Sequence, residues 1–149
     1  MAVQEYISTI TVKQSDLGIM AEAQLAMYDG LMAGDNEATF KSRLNAISFT
    51  TAILAFFCPP ATVLGLTSLF TGIISTVGSE KSFLANAITR GKDGLLRMST
   101  ATRPLTKYDL FEIEFICLDY TSAGKTLTVV ESNGTIKRAH VKGGGWVSY

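Results

Sequence analysis

"ILAFFCPPATVLGLTSLFTG", Ile53 to Gly72, decides the fold, because it carries no charge and has Cys58-Pro59-Pro60 at its centre. A proline disfavours helix in the residue before it and suits the first turn of a new helix. The segment therefore predicts two apolar helices joined by a Cys-Pro-Pro tip. The charge-free run is longer than the quotation and extends from Leu44 to Ser79, 36 residues. Acids and bases are distributed unevenly around it. Residues 1–43 hold six acids and three bases, and residues 80–149 hold seven acids and ten bases.

The full chain has 149 residues, enough for one domain with a real core. Hydrophobic residues make up 47% and charged residues only 17%, with a formal net charge of zero. A nucleic-acid partner would call for a basic surplus or stripe, and neither is present. "MAVQEYISTITVKQSD" lacks the cationic start and unbroken apolar block of a secretory signal peptide, so export by that route is not expected. Cys58 and Cys117 are too few for a disulfide framework. One bridge between them and two buried thiols are both open, with the thiols favoured.

Upstream of the quoted stretch, Glu5–Val12 reads as a strand with Tyr6, Ser8, Ile10 and Val12 on one face. Ser15 and Asp16 offer a cap for a helix ending near Gly34. Asp35 or Asn36 caps a second helix read as continuous to Cys58, with Phe40, Leu44, Ile47, Thr51 and Leu54 on one face. After the tip, a helix begins near Ala61 and reaches Gly78. It then either continues to Gly91 or restarts at Ser79-Glu80 after a kink.

Downstream, "LLRMSTAT" (Leu95–Thr102) is a possible strand. Phe111, Ile113, Phe115 and Cys117 alternate with Glu112 and Glu114, which is a half-buried strand. Asn133-Gly134 between "KTLTVVE" and "TIKRAHV" predicts a hairpin of type I′. The expected fold is a single α+β domain. It has an N-terminal strand, a hydrophobic helical hairpin (Phe40–Val77) within a three- to four-helix region, and a C-terminal antiparallel β-meander. Residues 1–94 are expected to be mainly helical and 95–149 to form the meander.

Motifs for catalysis are weak. "AGKT" (Ala123–Thr126) lacks the glycine that a phosphate loop places five residues before Gly-Lys, where this chain has Asp119, so it reads as a turn with a solvated Lys125. His140 is the only histidine, and nothing in the sequence brings it to Cys117 as base to nucleophile. Glu112 and Glu114 read as charges on a solvent face. One histidine and two distant cysteines do not make a metal site. The expectation is a non-enzymatic protein with no cofactor, no metal and no small-molecule substrate.

The hairpin is then the candidate functional element. Leu44–Cys58 is 15 residues and Ala61–Val77 is 17, against the roughly 20 that span a bilayer. Insertion is favoured by the absence of charge, by small residues four apart (Ser68, Gly72, Thr76), and by basic flanks at Lys41, Arg43, Lys81, Arg90 and Lys92. A soluble core is favoured by the surrounding strands and by the many Ser and Thr hydroxyls. The residues expected to contact lipid or another copy are Phe49, Ile53, Phe56, Phe57, Cys58, Pro59, Pro60, Val63, Leu64, Leu66, Leu69, Phe70, Ile73 and Ile74.

In architecture alone this arrangement is similar to pore-forming toxins such as the colicins, which shelter a hydrophobic helical hairpin in a water-soluble fold. The similarity implies a membrane-active, bacteriocin-like protein that is membrane-associated or released without a signal peptide, with the lipid bilayer as partner. The alternative is a structural subunit of a phage, tail-like or filament particle, cytoplasmic or in a virion, whose uncharged helices contact copies of itself.

Overall fold

A computed structural model describes residues 2–149. Strand β1 (Ala2–Val12) is followed by helices α1 (Gln14–Ala33), α2 (Glu37–Asn45), α3 (Thr51–Phe57) and α4 (Val63–Thr76). A single 3₁₀ turn, Gly78–Glu80, leads into α5 (Lys81–Thr102). Strands β2 (Tyr108–Ser122), β3 (Lys125–Val130), β4 (Thr135–Val141) and β5 (Trp146–Ser148) complete an α+β fold.

The sheet is organised by β2. Along one edge β1 pairs with it antiparallel and without interruption, from Ala2 opposite Thr121 to Val12 opposite Phe111. The other edge is shared end to end. β3 lies beside Cys117–Ser122, β4 lies beside Tyr108–Glu114, and β5 extends the sheet from β4. Tyr6, Ser8, Ile10 and Val12 do share one face of β1, and it is the inward one, since they are more buried than their neighbours. Phe111, Ile113, Phe115 and Cys117 are buried on one face of β2, and Leu118 and Tyr120 on the other. Leu127 and Val129, opposite Tyr120 and Leu118, extend that second apolar patch.

The hairpin expected at Asn133-Gly134 lies elsewhere. The chain reverses at Ala123-Gly124, whose φ values of 53° and 75° are those of a type I′ turn. Asn133 and Gly134 have no positive φ, and β3 and β4 both pair with β2 rather than with each other. The ladder continues to Glu131, whose N–H donates to the Ile116 carbonyl at 2.8 Å, and resumes at Thr135 opposite Glu114. Residues 132–134 therefore form a bulge within one extended run. Gly134 is needed for space: a Cβ there would lie 2.5 Å from Phe115 Cε1.

Three helix readings also change. α1 starts at Gln14, with Asp16 in its first turn accepting from the Lys13 N–H at 2.9 Å rather than serving as the cap. The helix read from Asp35 to Cys58 breaks in two. Asn36 caps α2 by accepting from the Thr39 N–H at 2.9 Å, and Thr50 caps α3 by accepting from the Ile53 N–H at 3.2 Å. Thr50 competes for a backbone group in this way, which outweighs the apolar spacing across the gap. Among the described residues there are therefore five α-helices instead of three or four. Finally, Leu95–Thr102 is the end of α5, not a strand. Leu84, Ile88, Gly91, Leu95, Ser99 and Thr102 are buried at spacings of three and four, so a single helical face runs the whole length of α5.

α1 and α5 pack together and place α5 against the bulge of the sheet. Gly91 and Gly94 allow this approach. A Cβ on Gly91 would overlap the Val130 carbonyl, and one on Gly94 would lie 2.5 Å from the Ser132 carbonyl oxygen. Gln24 of α1 closes the junction. Its Nε2 donates to the Val130 carbonyl at 2.9 Å and the Ile88 carbonyl at 3.0 Å, and its Oε1 accepts from the Val130 N–H at 2.7 Å. Val130 points these backbone groups away from β2, so a glutamine amide takes the place of a neighbouring strand.

Candidate functional site

The α3–α4 hairpin is built by its caps and its tip. Thr50 starts α3, Cys58 leaves it with extended backbone, and Thr62 starts α4 by accepting from the Gly65 N–H at 2.9 Å. Gly78, at φ 54°, ends this region, and α5 turns away from α4 by 106°. Phe40 of α2 stacks on Phe70 of α4 with ring centroids 4.9 Å apart, which fixes the inner face of the hairpin.

The fourteen residues singled out on the hairpin divide three ways. Ile53, Phe57, Cys58, Leu66, Leu69, Phe70 and Ile73 are buried in the core. Phe49, Phe56, Val63 and Ile74 are partly buried against it. Only Pro59, Pro60 and Leu64 are exposed, with Leu64 at 63%. The largest apolar side chains thus pack on the rest of the domain. Their sequence spacing could not separate that packing from lipid contact, since both bury the same stripe.

What α4 shows outward is uncharged: Leu64, Gly72, Ser75 and Thr76. Its hydroxyls turn back on the helix. Thr67 donates to the Val63 carbonyl at 2.7 Å, Thr71 to that of Thr67 at 2.7 Å, and Ser75 and Thr76 both to that of Gly72 at 2.9 Å. A hydroxyl bonded in this way no longer needs water or a partner to donate to. A shallow cavity of about 190 Å³ lies between this face and the β2–β3 turn, lined by Ser68, Gly72, Thr76 and Ala123 among others. At 14 residues α4 is roughly 21 Å long, short of the roughly 30 Å hydrocarbon core of a bilayer. Among the described residues no single helix is long and apolar enough to cross a membrane, although α4 together with the bent continuation Gly78–Thr102 passes by length and composition.

The residues considered for catalysis stay apart. Cys117 and Leu110, the partner of His140, are seven residues apart along β2, about 24 Å. Cys117 is buried, and burial with help from nearby carboxylates raises its thiol to about 11, far from the range of an activated nucleophile. Cys58 is buried too, its Sγ lies 3.4 Å from the Pro60 carbonyl, and its thiol is likewise raised by burial. Both cysteines are free. His140 Nδ1 sits 2.6 Å from Asp109 Oδ1 at the sheet surface, and this hydrogen bond holds the Asp109 carboxyl below its ordinary value. Glu112 is engaged by Arg138 in a two-point pair at 2.7 and 3.2 Å. Among the described residues no group of His, Cys, Asp and Glu is placed to hold a metal.

Two polar groups that sequence reading passed over are buried. Gln24 is one, and its signal is a lone amide in the run "MAEAQLAM". Glu131 is the other. Arg90 reaches its Oε1 at 3.0 Å, while Oε2 has no partner among the described residues. Burial and the nearby Glu5 raise the Glu131 carboxyl above its ordinary value, against the opposing pull of Arg90.

Compared with known proteins, the chain matches no family model, no curated protein and no solved structure.

Proposed function

We propose that this protein is a non-enzymatic structural subunit, and that the uncharged outer face of the α3–α4 hairpin is a contact with a neighbouring copy in a homo-oligomeric assembly. One observation carries this reading. Where the charge-free segment reaches the surface on α4, it presents Leu64, Gly72, Ser75 and Thr76, and the two hydroxyls among them are already bonded to the Gly72 carbonyl. Such a face loses little when water leaves it, and at Gly72 no atom of the described residues lies within 4 Å of a Cβ position. A particle or filament subunit in the cytoplasm or a virion fits this description.

A membrane-active role is the second reading, favoured by the bent α4–α5 pair and by the absence of charge over 36 residues. It requires the hairpin to open, because Ile53, Phe57, Leu66 and Phe70 reach lipid only by leaving the core. Light scattering after size exclusion, with and without detergent, tests both. The subunit reading expects an oligomer in buffer that Leu64→Asp dissociates without changing circular dichroism, because Leu64 is exposed. A chain that is monomeric in buffer at every concentration, and that floats with liposomes, would replace it with the membrane reading.

A further inference from the structure

We infer that strand β1 is a second, separate self-association site, at which two copies pair antiparallel about a two-fold axis through Ile7. This goes beyond the hairpin contact and uses the free edge of the sheet. β1 is an edge strand of 11 residues, and among the described residues no element but β2 pairs with it.

The outward-facing groups follow from the ladder. The Glu131 N–H bonds to Ile116, so the even-numbered residues of this part of β2 bond toward β3 and the odd-numbered ones toward β1. Cys117 is opposite Tyr6, so the even-numbered residues of β1 bond inward. The N–H and C=O groups of Val3, Glu5, Ile7, Thr9 and Thr11 therefore point away from the sheet. Such a row is a template for another strand, and proteins that avoid pairing blunt it with lysine, proline or a bulge. β1 has none of these: its register with β2 is unbroken, and Glu5 is its only charge.

These five residues select the partner and the register. Antiparallel pairing about Ile7 sets Ile7 against Ile7 of the second copy, Glu5 against Thr9, and Val3 against Thr11. It is the one self-pairing that engages all five outward residues, since sliding the centre either way leaves at least one unpaired. The charge of Glu5 meets a threonine and not itself. Ile7, 68% exposed, already neighbours Ile116, 41% exposed, so pairing joins four isoleucines into one apolar row across both sheets. At each end, the first residues of the second copy arrive beside Val12. There a groove of about 350 Å³ opens between β1 and α3, lined by Ile10, Val12, Met20, Ile53 and Phe56 and by no residue of β2. A strand 11 residues long spans about 37 Å and covers less area than a standard interface. The expected dimer is accordingly a reversible one.

Sedimentation velocity over a concentration series tests the inference. Ile7→Lys should leave the melting temperature unchanged and weaken dimerisation about tenfold or more, because the axis brings the two introduced lysines together. Ile7→Glu should do the same. An equimolar mixture of the two variants should recover the dimer, with mixed composition by native mass spectrometry. The inference fails if the Leu64→Asp chain, with β1 native, shows no dimer, if Ile7→Lys dimerises as well as the wild type, or if the mixture does not recover. An assembly that Leu64→Asp dissociates and Ile7→Lys leaves untouched would overturn the β1 contact while leaving the hairpin contact standing. The reverse pattern would overturn the hairpin contact alone.

Discussion

Gln24→Leu tests how the helical layer is joined to the sheet. The substitution keeps the size of the side chain and removes three hydrogen bonds. The Val130 N–H and C=O then lose the partner that the Gln24 amide supplies, in a place where Gln24 itself is fully buried. An unsatisfied buried backbone group costs about 1–3 kcal/mol, so the pair costs roughly 2–6. The added apolar surface of leucine returns about 1 kcal/mol. A net loss of about 3 kcal/mol is expected, a large share of the 5–15 kcal/mol typical of a domain. Urea unfolding followed by circular dichroism measures it. A loss below about 1 kcal/mol with an unchanged m-value would refute the role given to Gln24.

Gln24→Glu adds a check of sign. The introduced carboxyl faces the Val130 and Ile88 carbonyls, to which it can donate only when protonated, so its folded-state pKa is raised. Its stabilising form is fully present below the unfolded carboxylate value and is lost as pH rises through the folded one. The variant should therefore lose more stability at pH 8 than at pH 4.5, whereas Gln24→Leu should show no such dependence.

Gly91→Ala should cost more than about 3 kcal/mol or abolish folding, because the new methyl overlaps the Val130 carbonyl. Gly72→Ala, with no atom within 4 Å, should stabilise the monomer by up to about 1 kcal/mol, and thermal melts of both compare the two helices directly. Ala123→Asn should raise stability by about 0.5–1 kcal/mol in urea unfolding, since φ 53° suits asparagine far better than alanine in a type I′ turn. The buried Glu131 carboxyl is raised, so its contribution to stability is full at low pH and declines as pH rises through its folded value. Glu131→Gln should consequently compare more favourably with the wild type at pH 8 than at pH 4.5, and the same preference at both would contradict the assignment.

Much of this fold is local, and the sequence determined that part by itself. The alternation in β1 and β2, the Gly34 stop, a cap at Asp35 or Asn36 and the Cys-Pro-Pro break each depend on a residue's own backbone preference or on neighbours within a turn, whereas the kink at Gly78 is one of two readings the sequence leaves open. The tertiary structure decided where such preferences competed or were silent. Asn133-Gly134 has strong turn chemistry, yet β2 is long enough to hold both β3 and β4 on one edge, and packing of α5 at Gly91 and Gly94 makes the segment a bulge. Ala123-Gly124 turns instead, at an alanine that local preference argues against. Leu95–Thr102 is helical because its apolar residues continue the buried face of α5 against α1. The hairpin shows the same limit for function. An apolar stripe is identical whether it meets a core, a second copy or lipid, and only the packing of Phe40 on Phe70 and the exposure of Leu64 separate its inner face from its outer one. The free edge of β1 was equally invisible, because an edge is defined by which strand is missing beside it, a property of the sheet's order and not of the strand's residues.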